Sequence, residues 1–262
     1  MTTSMRGQPT FDPSDFEPGQ EIDNQFLPYH PGTTFVYHTF DEQNELTEIS
    51  TVRVTDGTRV VDGVECIVVL DVVRDAETGL LIEKTFDYYA QDESDNVWYF
   101  GEVSRQYEDG VLVGTEGSWL AGVDGATPGI VMEAHPRVSD RYNQENAPGV
   151  AEDRARVVSF DGEVNVPFGQ FDDCLVTHET SPLDRQLNEN KFYAEGIGQV
   201  LVKDRITGEQ DKLISVTTDG RIVRLTDAIA SFGADQAHHA SPANTTTTDQ
   251  GTQQLIAALT SG

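Results

Sequence analysis

Lysine is nearly missing from this chain: Lys84, Lys191, Lys203 and Lys212 are the four that occur in 262 residues. Cysteine is scarcer still, with Cys66 and Cys174 alone and no CxxC spacing, so a cysteine-based zinc site is not expected. No apolar run approaches the roughly eighteen residues that a membrane-crossing helix needs. The opening, MTTSMRGQPTFDPSDFEPGQ, holds no apolar core of the secretory-signal kind. The expectation is that the chain stays inside the cell, is a mature form, or begins at a mis-assigned residue. The P-loop, GxGxxG, GxSxG, HxH and HExxH patterns are also absent. Without these signatures of nucleotide, serine-nucleophile and zinc chemistry, the chain reads as a non-enzyme more readily than as an enzyme. No cofactor and no metal is expected.

What is abundant is acid. Asp and Glu number 45 against 17 Lys and Arg, a formal net charge of −28. Charge this far from zero repels itself at low ionic strength, and salt screens it, with a Debye length of about 3 Å at 1 M. Many acids, few lysines and more Asp than Glu point to a halophilic, salt-adapted protein; the plainer alternative is an ordinary acidic secreted protein. No run of basic residues forms a stripe along the sequence, which disfavours nucleic acid and direct binding to an anionic membrane. The oligomeric state stays open.

The length suits one large β-domain or two small ones, and a fold of this size buries roughly 70% of its unfolded surface. Residues 1–25 read as an irregular arm, and residues 229–262, which include GADQAHHASPANTTTTDQGT, as a low-complexity, mostly disordered tail. Between them, residues 26–228 alternate in the β manner. Branched and aromatic runs at 34–40, 49–55, 64–73, 80–90 and 97–103 are separated by turn residues at hairpin spacing. This predicts an all-β antiparallel meander, since parallel strands need long crossovers.

The pattern then recurs. HPGTTFVYHTFDE (30–42) aligns with HPRVSDRYNQENA (135–147), VDGVECIVVLDVV (61–73) with FGQFDDCLVTHET (168–180), and FDYYAQDESDNVWYFGE (86–102) with NKFYAEGIGQVLVKD (190–204). We read two tandem pseudo-repeats, 26–116 and 133–228, forming one barrel or strongly curved sheet. The connection GSWLAGVDGATPGIVM (117–132) has the glycines of a loop and the apolar load of a core. It is expected to be buried, for instance as a lid over the barrel mouth.

The phrases PGTTFVYHTFDE, DYYAQDESDNVWYFGE, GSWLAGVDGATPGIVM and FYAEGIGQV, in that order, resemble a group of bacterial and archaeal β-proteins, often secreted, that has no assigned function. The resemblance covers roughly residues 23–204. It implies an extracellular or envelope setting, from which the absent signal segment departs, and it brings no catalytic residues. More coarsely, the meander is similar to lipocalin-like and lipoprotein-carrier-like folds, which enclose apolar ligands; this is analogy alone.

Five residues stand out as candidate ligand contacts: Tyr89, Trp98, Trp119, Met132 and His178. The aromatics at 88, 89, 98, 99, 100 and 119 suit either a plain core or the lining of an apolar cavity. In Cys174-Leu175-Val176-Thr177-His178, alternation puts His178 on the face of Cys174 and Val176, expected to be inward, which also makes it the one weak catalytic candidate. His30, His38 and His135 lack ligand spacing. Asp92-Glu93-Ser94-Asp95-Asn96 departs from a calcium loop and reads as a turn. Cys174, beside Asp173, is expected to be an unreactive thiol, and the two cysteines to be buried and free, with a disulfide as the alternative. Three readings follow: a non-enzymatic binding protein for a small apolar or amphipathic ligand, a barrel hydrolase or isomerase using His178, and an envelope or surface structural protein.

The charge analysis predicts that the melting temperature rises with KCl from low to molar concentration. A melting temperature that stays level across that range, read by circular dichroism, sinks the salt-adapted reading.

Overall fold

The computed structural model describes residues 8–219 and the backbone of residues 221–222. The tail expected over 229–262 lies outside the described residues. No α-helix occurs among those described; a single 3-10 turn, Pro13–Asp15, sits in the N-terminal arm. The strands are β1 (Ile22–Asn24), β2 (Leu27–Tyr29), β3 (Thr33–Phe40), β4 (Leu46–Val61), β5 (Val64–Asp75), β6 (Leu81–Gln91), β7 (Val97–Glu108), β8 (Val111–Gly114) and β9 (Trp119–Leu120). They continue as β10 (Thr127–Met132), β11 (Arg141–Asn143), β12 (Glu145–Asn146), β13 (Arg154–Val166), β14 (Gly169–Thr180), β15 (Asn188–Ala194), β16 (Gly198–Asp204), β17 (Gln210–Thr218) and β18 (Arg221–Ile222).

β3 to β7 form one antiparallel meander and β13 to β17 a second. Tight turns build them: Asp62-Gly63 joins β4 to β5 with φ of 48° and 85°, and Asp109-Gly110 joins β7 to β8 with φ of 50° and 77°. Two successive left-handed residues match the right-handed twist of the flanking strands, which is why Asp-Gly occurs there. β17 pairs with β3, and β10 with the far edge of β7. β12 then pairs with β10, and β11 pairs with β13. Only Gln144 separates β11 from β12. The stretch 141–146 therefore bridges the two edges of the sheet, and the wall nearly closes as an all-β antiparallel barrel.

The segment 117–132 is part of this wall. β9 pairs with Gly101 and Glu102 of β7, and β10 with Val97 to Tyr99 of the same strand. Trp119, Ala121, Ala126, Ile130 and Met132 are buried as expected of the connection, but by lying in the sheet edge beside β7. The lid expectation is corrected for that reason: unpaired backbone on both sides of the seam is better satisfied by a strand than by a loop across the mouth.

One end of the barrel is stoppered. The β1–β2 hairpin bonds to β6 through Gln91 Oε1, which accepts from the Asp23 and Asn24 amides, and to the β15–β16 turn through Gly196 N–H and Gln25 O. Tyr29 at its end packs on Tyr89 and Phe35, ring centroids 5.5 and 6.2 Å away. Outside the wall, Phe11 and Phe16 of the arm pack on Trp98 and Phe100 at centroid separations between 5.5 and 6.1 Å. Cys66 and Cys174 are separate buried thiols, so the disulfide alternative is not formed. Burial, then Asp172 and Asp173, pushes the Cys174 thiol up to about 11.

The seam depends on Gly129, which is buried on β10. A Cβ there meets the backbone of Gln144 and Asn143 well inside contact distance. We predict that Gly129→Ala destabilises the fold by about 1–3 kcal/mol, because neither backbone yields without parting β10 from the 141–146 bridge. The urea midpoint reads this; an unchanged midpoint contradicts the closure.

Candidate functional site

The inner face of the barrel is acidic. Register places Asp87 opposite both Val69 and Glu102, and Asp71 opposite Thr85, so these carboxylates share the inward side of β5, β6 and β7. Across the lumen, Glu179 and Glu189 on β14 and β15 are direct cross-strand partners on the same side of the wall. One cation answers them: Lys191 Nζ lies 2.9 Å from Glu179 Oε2 and 3.9 Å from Glu189 Oε2. Burial alone lowers an ammonium, but the two carboxylates outweigh it and raise Lys191. Thr177 and Tyr193 hydroxyls donate to Glu179 Oε1 at 2.9 and 3.4 Å.

Among the described residues no cation pairs with the acids of the opposite wall. There the Tyr99 hydroxyl stands between two acids, 2.6 Å from Asp87 Oδ1 and 2.8 Å from Glu102 Oε2. A phenol has one proton to donate, so the second contact needs a proton on a carboxyl. Burial works in the same direction. Burial, then the charge of Glu102, raises Asp87 well above the carboxylate range. Burial lifts Glu102 to about 7, and burial with Glu83 lifts Asp71 to about 7. Glu145 on β12 reaches about 8 through burial and then Asp153. The Trp119 indole opposes that shift but falls short of a full hydrogen bond.

Beside these acids the wall opens into a recess of about 250 Å³. Trp119, Leu120, Val123 and Ala126 form one side, Ala147, Pro148 and Val150 the other, and Glu102 lies among the lining residues. Trp119 meets Tyr99 edge-on at 5.5 Å, and Tyr99 stacks on Tyr89 at 4.7 Å. The three rings thus run from the recess toward the lumen. Further along, the Tyr142 hydroxyl is buried at 3% exposure and has no hydrogen-bond partner among the described residues.

Of the five expected contacts, the structure brings two together, Tyr89 and Trp119, through Tyr99. Trp98 is one residue out of phase with Tyr99: it lies under Phe11 and Phe16 and donates from Nε1 to Asp92 Oδ2 at 2.7 Å. Asp92 itself ties the turn 92–96 by accepting from Ser94 and Asn96 amides. Met132 is fully buried at the β10–β7 pairing. His178 faces outward, beside Arg156 of β13, with Nε2 2.9 Å from both Asn188 Oδ1 and Arg205 Nη1. The inward expectation for His178 is therefore corrected. Residues 174–177 are buried throughout, so alternation does not show which side is inner, and the lumen takes Thr177 and Glu179 because Lys191 and Tyr193 satisfy them. His30 sits 4.0 Å from Glu21, His38 lies tilted beside Phe40 with ring centroids 6.3 Å apart, and His135 is exposed. Among the described residues no three His, Cys, Asp or Glu side chains converge as metal ligands.

Sequence reading passed over Asp87, Glu102, Glu145 and Lys191 as site residues, and took Tyr99 only as one of the clustered aromatics. One signal was visible: Asp87 in the run Phe86-Asp87-Tyr88-Tyr89-Ala90 is a lone acid in a strand otherwise fit for a core.

No family model matches the chain, and no curated protein does. Among solved structures, the barrel is similar to an inferred exported protein of Bacteroides fragilis with a YmcC-like fold, at 16% identity and a TM-score of 0.43, over 74% of this chain and 100% of that one. It is also similar to an inferred lipoprotein of Parabacteroides distasonis, at 11% identity and a TM-score of 0.35, over 74% of this chain and 99% of that one.

Carboxyls whose folded pKa is raised make the folded state bind more protons than the unfolded chain. Their stabilisation is complete below the unfolded carboxyl range, about pH 4, and is lost as pH rises through the folded values. With Asp71 and Glu102 near 7 and Glu145 near 8, we predict a urea midpoint that falls from about pH 5 to about pH 8. Glu102→Gln is expected to flatten that fall and to raise the midpoint at the alkaline end. A parent midpoint that climbs over this interval overturns the assignment.

Proposed function

We propose that the protein is a non-enzymatic binding protein for a small amphipathic ligand whose polar end is a cation. The observation that carries this reading is the apolar recess at Trp119, whose lining includes the half-buried carboxyl of Glu102. An alkyl chain lying against Leu120, Val123, Ala147 and Val150 loses water at about 25 cal/mol per Å². Its ammonium end then meets Glu102 and the Trp119 ring, both of which line the recess, and a cation over such a ring gains about 0.5–2 kcal/mol. The recess is smaller than the sites of drug-sized molecules, so the ligand is small. A cation arriving at Glu102 lowers the carboxyl's pKa, so binding releases a proton near neutral pH.

An extracellular or envelope setting, implied by the sequence resemblance, suits a carrier of this kind. His178 has no part in the reading, since it lies on the other side of the wall from the recess.

The test uses hexylammonium and hexanoate as matched probes, followed by tryptophan fluorescence and calorimetry in two buffers of different ionisation enthalpy. Hexylammonium is expected to bind with proton release, hexanoate not to bind, and Glu102→Gln to weaken hexylammonium by about tenfold or more. Equal binding of both probes, or of neither, rejects the proposal; binding of neither returns the weight to a structural role.

A further inference from the structure

The chain has 17 cationic side chains against 45 acids, and the fold gathers several of those cations on one outer face. Arg141 of β11 pairs with Arg156 of β13, which pairs with His178 of β14. Direct partners across antiparallel strands point the same way, with Cβ atoms about 5 Å apart. His178 in turn lies opposite Asn190 and Asn190 opposite Lys203, so the row runs Arg141, Arg156, His178, Asn190, Lys203 without a carboxylate. One step along, Asn143, Arg154 and Thr180 form the parallel row. Arg205 is drawn to the same face by His178 Nε2 and by Asn188 Oδ1, 3.3 Å from its Nη1.

Like charges directly opposed in a sheet are destabilising, and here little relieves them. Among the described residues neither Arg141 nor Arg156 makes an ion pair, and Arg154 has only an exposed contact at 3.9 Å with Glu152. Such a contact contributes about 0–1 kcal/mol. Arg141, Arg156 and His178 of the first row and all of the second line a groove of about 570 Å³, edged by Gln8, which exchanges two hydrogen bonds with the Asn143 backbone at 2.9 and 3.2 Å.

We propose that this groove is a binding site for a phosphate monoester. Arginine offers donors and no acceptor, so the occupant must bring acceptors. Planar guanidinium forks match the oxygens of a phosphate two at a time. Asn143 and Thr180 supply neutral hydrogen-bonding groups beside them, suited to a hydroxylated remainder. The volume exceeds that of the phosphate alone and falls in the range of small-molecule sites. A long polyanion does not fit, because the −28 of the whole chain repels everything beyond the groove. The site is independent of the lumen and lies on the opposite side of the wall.

The experiment titrates the full chain with inorganic phosphate and glycerol 3-phosphate by calorimetry at moderate salt, and sediments it with phosphatidylcholine vesicles with and without phosphatidic acid. Glycerol 3-phosphate is expected to bind saturably, and Arg141→Gln/Arg156→Gln to weaken it by about tenfold or more. Arg53→Gln/Arg74→Gln, which removes the same charge at exposed sites on β4 and β5 of the other meander, is expected to leave it unchanged. Melting curves of both variants confirm folding. Sedimentation with phosphatidic acid assigns the monoester to a lipid headgroup, and saturable glycerol 3-phosphate binding without sedimentation assigns it to a soluble metabolite. No saturable binding in either format, or an equal loss in both variants, overturns the proposal.

Discussion

A sheet that closes on itself has no second layer to cover its inner face, so every polar group pointing inward must be satisfied by another strand of the same wall or by water. This barrel meets that constraint in two ways. On the β14–β15 side, Lys191 neutralises Glu179 while Thr177 and Tyr193 use the second oxygen. On the β6–β7 side no cation among the described residues pairs with the acids, which are held by a phenol and by protonation, with Tyr99 shared between Asp87 and Glu102. Both solutions need the wall to stay shut, and its closure rests on a bridge of six residues, 141–146, pressed against a glycine of β10.

The same closure separates the chemistry of the two faces. Inward, carboxyls and tyrosines line a lumen stoppered by the β1–β2 hairpin. Outward, β11 and β13 carry arginines in register. A strand's side chains alternate, so one strand serves both surfaces: in β14, Thr177 and Glu179 belong to the acidic interior and His178 to the basic exterior. The proposed cationic ligand and the proposed phosphate ligand thus meet opposite charge on different parts of one sheet, at Glu102 of β7 and at Arg141 and Arg156 of β11 and β13.

Much of the architecture was legible beforehand. The runs at 34–40, 64–73 and 97–103 became β3, β5 and β7, and the turn expected over 92–96 fell between β6 and β7, because alternation and turn chemistry are local properties. The burial of Trp119 and the ring contacts that link it through Tyr99 to Tyr89 follow from the same local pattern: large aromatics in strands have to go somewhere apolar. Trp98 was misplaced by one step of phase, since a bulge at the β6–β7 pairing and the cover from Phe11 and Phe16 make both faces of β7 apolar. His178 was misplaced because β14 is buried on both sides over 174–177, and a strand with two buried faces has no alternation to read.

The sequence by itself determined the antiparallel β class, the turn positions, the acidity and the burial of the 117–132 segment, all of which depend on neighbours within a few residues. Tertiary structure alone decided that this segment is wall, that Asp87 and Glu102 share a phenol, and that Arg141, Arg156 and His178 stand side by side. Each of those facts is a strand register, and register joins residues far apart in the chain by backbone pairing that no single stretch of sequence encodes.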